Sequence, residues 1–298
     1  SPASTSYLIG VDTGGTYTDA AIIEAHGHRV VARAKAITTK GDLAIGVDLQ
    51  AHEAPGLRGT MNVQTGGWVM SSGVAKIGSA GVLNLSGGTF AAAALAAPSG
   101  GSLNWTGGRL HITGTQGVTL GVSPYLPSVL VLNPGMTLEV DHRLDIGTGT
   151  VVLVGGGQVR AGDMHLGGGH IVGTALNLGA SGLLSGHGSV AAAVTSANAN
   201  GRVAVEGGDM SLGNLNSSTG FVVAGTVDVQ AGRTLLLQSA GAAGLGANTW
   251  LHAGSRLQAV NGLDLGAGEV LTATGDAWVG GRFSNQGFVQ GPVAGGQW

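Results

Sequence analysis

Between about Asn62 and Trp298 a short phrase recurs in which apolar and polar residues alternate, a glycine pair follows and the alternation resumes. Val82-Leu83-Asn84-Leu85-Ser86-Gly87-Gly88-Thr89-Phe90 and Ser102-Leu103-Asn104-Trp105-Thr106-Gly107-Gly108-Arg109-Leu110 align at an offset of 20 residues, and Thr65-Gly66-Gly67-Trp68-Val69 lies 21 before the first. Gln230-Ala231-Gly232-Arg233-Thr234-Leu235 returns 22 residues later as His252-Ala253-Gly254-Ser255-Arg256-Leu257. Asn133-Pro134-Gly135-Met136-Thr137-Leu138 and Thr274-Gly275-Asp276-Ala277-Trp278-Val279 keep the same form. A period of 20–22 residues fits one rung of stacked structure: two or three short strands joined by turns, with inward side chains piling into a continuous core. Val129–Leu132, Thr150–Val154, Phe221–Val223 and Thr234–Leu237 are of strand length and flanked by turn residues, and no window of 12 or more carries a helical period. The expectation is an all-β chain, a parallel β-solenoid of about ten rungs preceded by a short N-terminal β-rich segment.

Composition narrows the classes. Glycine supplies 58 of 298 residues, far above ordinary usage, so the backbone must turn often or approach other backbone closely. The strict three-residue glycine period of collagen is absent. The chain is 43% hydrophobic with a net charge of -3, which argues against disorder and against electrostatic nucleic-acid binding. It has no cysteine, hence no disulfide, thiolate metal site or cysteine nucleophile. No apolar run reaches the roughly 20 residues of a membrane-spanning helix. The first residue is Ser1, which fits a removed leader peptide or a trimmed chain; the close at Gly295-Gly296-Gln297-Trp298 carries no polar cap, which fits truncation or a docking end.

Charge and glycine divide the chain. Residues 1–50 hold 9 charged side chains and residues 51–298 hold 20, while glycine becomes dense only after Gly56. This sets three parts: an N-terminal segment over 1–50, a linker over 51–61 and the repeat domain over 62–298. In the first, Tyr7–Asp12, Tyr17–Ile23 and Arg29–Ala36 read as strands, with a tight turn at Thr13-Gly14-Gly15-Thr16 and a helix opening near Asp42.

Two resemblances follow. Ile9-Gly10-Val11-Asp12-Thr13-Gly14-Gly15-Thr16-Tyr17-Thr18-Asp19-Ala20, with Lys35–Val47, resembles the N-terminus of the hydantoinase/oxoprolinase family of the actin-like ATPase superfamily. The resemblance implies a first phosphate loop for magnesium-ATP, with Asp12, Thr13, Gly14, Gly15 and Thr16 as the cofactor-binding residues. Members of that family are several times longer, with a second phosphate loop and a second lobe that this chain lacks after Val47. Residues 62–298 resemble bacterial secreted and surface β-helix repeat proteins of the autotransporter-passenger and PEP-CTERM-associated kinds. Leu183-Leu184-Ser185-Gly186-His187-Gly188-Ser189-Val190 and Gly225-Thr226-Val227-Asp228-Val229-Gln230-Ala231-Gly232-Arg233-Thr234-Leu235 carry that likeness. It implies a repeat style and brings no catalytic residues.

Chemistry within the repeats is sparse. The tightest acidic group is Glu139, Asp141 and Asp145 with Arg143 interleaved; Glu139 and Asp141 share a face if extended, and surface charge balance is the simpler reading. His165 and His170 lie in a glycine-rich stretch without the three or four convergent ligands of a zinc site. Gly155-Gly156-Gly157 and Gly167-Gly168-Gly169 precede no helix, so the phosphate-loop argument fails for both. Trp68, Trp105, Trp250 and Trp278 occupy strand positions where packing is the default.

The expectation is therefore a structural rod, extracellular or at the cell surface, serving adhesion, matrix or filament assembly. It has no catalytic residue, cofactor or metal, and its partners are copies of itself or other surface and matrix components. The alternative is a fragment or fusion of a cytoplasmic ATP-dependent amidohydrolase of the hydantoinase type. The abrupt switch near Asp48 also fits a junction of two unrelated segments.

Overall fold

The computed structural model describes residues 7–13, 17–24, 27, 29–37, 60–77, 81–96, 100–179, 182–196, 200–216 and 221–291. Among these every regular element is a strand, and the strands form two separate sheets. The first is an antiparallel meander of β1 (Tyr7–Thr13), β2 (Tyr17–Glu24) and β3 (Val30–Ile37), the three stretches that the sequence reads as strands. Register runs from Tyr7 opposite Glu24 to Thr13 opposite Thr18. The helix expected near Asp42 lies outside the described residues.

The second sheet has 22 strands, and all its pairings are parallel. It winds as a β-solenoid of about ten turns, and its first described strand starts at Thr60. Residues one turn apart pair at offsets such as Thr60 with Val82, Val82 with Ser102 and Thr226 with Asn248, so the rung period is the repeat period. Each turn contributes to three ladders, and alternate residues of each point inward.

The inward columns make the core. On one ladder Val69, Phe90, Leu110, Leu138 and Val159 succeed one another in register. On the second Leu130, Val151, Ile171, Val190, Leu212, Leu237 and Ala259 do so. On the third the column runs Leu144, Met164, Leu184, Val203, Val227, Thr249, Leu271 and Val289. Outward positions tolerate polar residues, and Asn62, Asn84 and Asn104 use theirs for a side-chain ladder. Asn84 Nδ2 donates to Asn62 Oδ1 (2.7 Å) and Asn104 Nδ2 to Asn84 Oδ1 (2.9 Å). The alanine run after Phe90, the most helix-like stretch of the sequence, lies inside the strand Val82–Ala96, because its neighbours above and below pair with it as strands.

Thr249 interrupts an otherwise apolar column. It is 0% exposed and its Oγ1 has no hydrogen-bond partner among the described residues. A buried hydroxyl without a partner is a net cost, and valine has nearly the same shape. Thr249→Val is expected to raise stability by about 1 kcal/mol, read as a higher midpoint in chemical denaturation.

One excursion breaks the regular winding. Arg109 pairs with Thr137, an offset well beyond the usual rung, because residues 121–128 loop outward between them, while Val118 and Thr119 keep their ladder opposite Leu144 and Asp145. The loop is tied down by buried Leu120 and Leu126, by the Gly121 N–H donating to the Leu126 carbonyl (2.8 Å) and by the Tyr125 hydroxyl donating to the Ile77 carbonyl (3.4 Å). The turns on either side therefore stay in register.

Candidate functional site

That register sets side chains from distant sequence positions next to each other. In the strand Ser102–Ile112, Arg109 and His111 point outward on either side of buried Leu110. In the next turn, the strand Met136–Gly147 places Glu139 opposite His111, with Asp141 two residues on. Buried Leu138 and Val140 force Glu139 and Asp141 to the same outer face, as the alternation predicts.

The four side chains converge. An Arg109 guanidinium nitrogen (Nη2) pairs closely with Glu139 Oε1. His111 Nε2 lies 2.7 Å from Asp141 Oδ1 and 3.8 Å from Glu139 Oε1. Glu139 Oε2 and Arg109 Nε are buried without hydrogen-bond partners among the described residues. Arg160, the register neighbour of Glu139 in the following turn, is turned away and donates to Gln158 Oε1 (2.7 Å). The cluster therefore holds two carboxylates, one guanidinium and one imidazole, partly withdrawn from water.

Asp145 and Arg143 belong elsewhere. The ladder bends between Val140 and Arg143, so they face another side of the solenoid. Asp145 Oδ1 accepts from the Gly147 N–H (2.9 Å), and Arg143 pairs with Asp163 at 3.6 Å. The grouping of Glu139, Asp141 and Asp145 read along the sequence is split by this corner. His111 and Arg109 complete the site instead.

His165 also gains neighbours that its sequence surroundings hide. Ser185 Oγ donates to Asp163 Oδ1 (2.8 Å), and His165 Nδ1 lies 3.0 Å from the same Oγ. The three residue types match a hydrolytic triad, but the order does not. The imidazole must stand between serine and carboxylate to take the serine proton, and here serine stands in the middle. Ser185 is also only 3% exposed. This is a polar clasp between turns. His170 Nδ1 makes a similar contact with Ser189 Oγ (2.7 Å), and Asp228 bridges Arg202 and His252 at 3.1 Å each.

Gly155-Gly156-Gly157 forms a turn beside an open groove of about 550 Å³, with Gln158, Arg160, Thr174 and Asn177 on its walls and Val159 and Leu176 in its floor. The strand Gln158–Asn177 follows it and contains Gly167-Gly168-Gly169, so neither glycine run heads a helix. Of the tryptophans, Trp105 is partly buried and donates from Nε1 to the Gly108 carbonyl (3.3 Å). Trp68, Trp250 and Trp278 are instead 41–51% exposed, with Arg256 stacked 6.0 Å above the Trp278 ring. Of the four, Trp105 alone packs against the buried core, while the Trp278 ring lies against Gly280.

Asp12 and Thr13 end β1, opposite Asp19 and Thr18 of β2. Gly14, Gly15 and Thr16 lie outside the described residues. No helix of the described residues is long and apolar enough to cross a membrane. No family model, curated protein or solved structure matches the chain.

Proposed function

We propose that this chain is a structural and interaction protein, a secreted or surface-displayed rod that serves adhesion, matrix or filament assembly by associating with copies of itself. The observation that supports this reading is the pair of open ladder edges. Among the described residues, the strands of the first turn, Thr60–Val63 and Trp68–Lys76, pair only with Val82–Ala96. Those of the last described turn, Trp278–Gly280, Phe283–Asn285 and Phe288–Gln290, pair among the described residues only with the turn before. Among the described residues no strand covers either far edge. Unpaired strand edges are templates for another chain.

The two edges suit each other. Every ladder is parallel, so a second copy stacked head to tail continues all three with unchanged strand polarity. Such contacts are heterologous and give open filaments when the rotation does not close. Trp278, Phe283 and Phe288 stand 49%, 43% and 64% exposed at the last turn, which adds apolar area to that contact. Placement outside the cell rests on the likeness of the repeats to surface and secreted β-helix proteins. The nucleotide-handling alternative for residues 7–47 rests on sequence resemblance alone.

Light scattering over a wide concentration range tests the proposal. Average mass is expected to rise steadily with concentration. Phe288→Lys, which sets a charge on the edge strand, is expected to move the onset upward by about tenfold, near 1.4 kcal/mol of contact energy. A strict monomer at the highest concentration reached would sink the proposal.

A further inference from the structure

We infer that His111, Glu139 and Asp141 form a binding site for one divalent transition-metal ion of the zinc class, joining the two turns on either side of the 121–128 excursion. The donor atoms of the three residues all lie within 4.8 Å of one another. Zinc with nitrogen and oxygen ligands at about 2.0–2.2 Å in tetrahedral geometry needs donors roughly 3.3 Å apart. The separations of His111 Nε2 from Asp141 Oδ1 and Glu139 Oε1, 2.7 and 3.8 Å, lie either side of that spacing.

The independent observation is the state of Glu139. Arg109 holds Oε1, while Oε2 is buried and has no partner among the described residues. A buried carboxylate oxygen without a donor is costly, and a cation answers it directly. Arg109 then serves as the outer partner that orients a ligating carboxylate. Two carboxylates stand against one guanidinium, Arg109, an arrangement that attracts a divalent cation. Imidazole among the ligands favours zinc and its neighbours over calcium or magnesium, which take oxygen. The fourth position faces solvent beside Asp141, whose side chain is 44% exposed.

The place of the site in the fold gives the ion a role. His111 and Glu139 are paired neighbours across the turn that the excursion lengthens. An ion shared between them closes that turn with a second, non-covalent link, as metal clips do for long loops.

Calorimetric titration of zinc chloride into the full chain, after dialysis against chelator, provides the test. One saturable equivalent of micromolar affinity or tighter is expected, and cobalt in its place should show the visible absorption of a tetrahedral site. His111→Gln and Asp141→Asn are each expected to weaken binding by tenfold or more. Asp141 is outward enough that its variant keeps the fold, so it decides the matter should His111→Gln not fold. Absence of saturable binding overturns the inference. So does binding that both variants leave unchanged, since the chain has nine histidines and the ion would then sit on others.

Discussion

Gly186→Ala is expected to lower stability by about 3 kcal/mol or more, among the largest losses for a single glycine substitution in the solenoid. Gly186 is buried at a corner of the strand Leu183–Ser196, with φ of +98°. A Cβ there would overlap the Leu166 carbonyl oxygen of the adjacent turn. That carbonyl is backbone, so no side chain can swing aside to make room. Two costs therefore add: the left-handed backbone and the collision. Gly135→Ala separates them, because its φ is +80° but a Cβ there would meet nothing within 4 Å. Its loss is expected to stay near 1 kcal/mol, the conformational part alone. Denaturant midpoints for the two variants check the difference, and equal losses would show that crowding between turns contributes nothing.

Phe90→Ala is the other large effect. Phe90 is 0% exposed, between Val69 and Leu110 in its column, and truncation is expected to cost about 3–5 kcal/mol. A stacked architecture also decides how far the damage spreads. Each turn touches only its neighbours, so amides near residues 60–112 are expected to lose hydrogen-exchange protection while those beyond Phe221 keep theirs. Loss of protection along the whole stack would mean that the solenoid unfolds as one unit.

The sequence carries the fold more clearly than the site. Leu83 and Leu85 are buried and Asn84 points out, and the next turn repeats the alternation, so rung length and inward columns are legible in the residues alone. The backbone at Gly186, at the centre of the phrase Leu183–Val190, is likewise what a corner demands. Corners without glycine leave no such mark. Alternation alone joins Asp145 to Glu139, whereas the chain turns between them. His111 is hidden for a different reason. Its partner turn follows the excursion, so the offset of 20–22 that aligns other rungs falls short of Glu139. Finding the pair requires noticing that Gly107-Gly108-Arg109-Leu110 and Gly135-Met136-Thr137-Leu138 are neighbours separated by one lengthened turn.

The parallel ladders have a mechanical consequence. Strands run around the molecule, and the hydrogen bonds between turns run along its length, about 4.8 Å per turn. Tension applied between the two ends pulls directly on those bonds, one turn at a time. Each turn of about 20–22 residues that lets go turns about 4.8 Å of rod into roughly 70 Å of extended chain. A pulled stack of this kind lengthens in equal steps and dissipates work at each, so the period written in the sequence becomes the step size of its response to force.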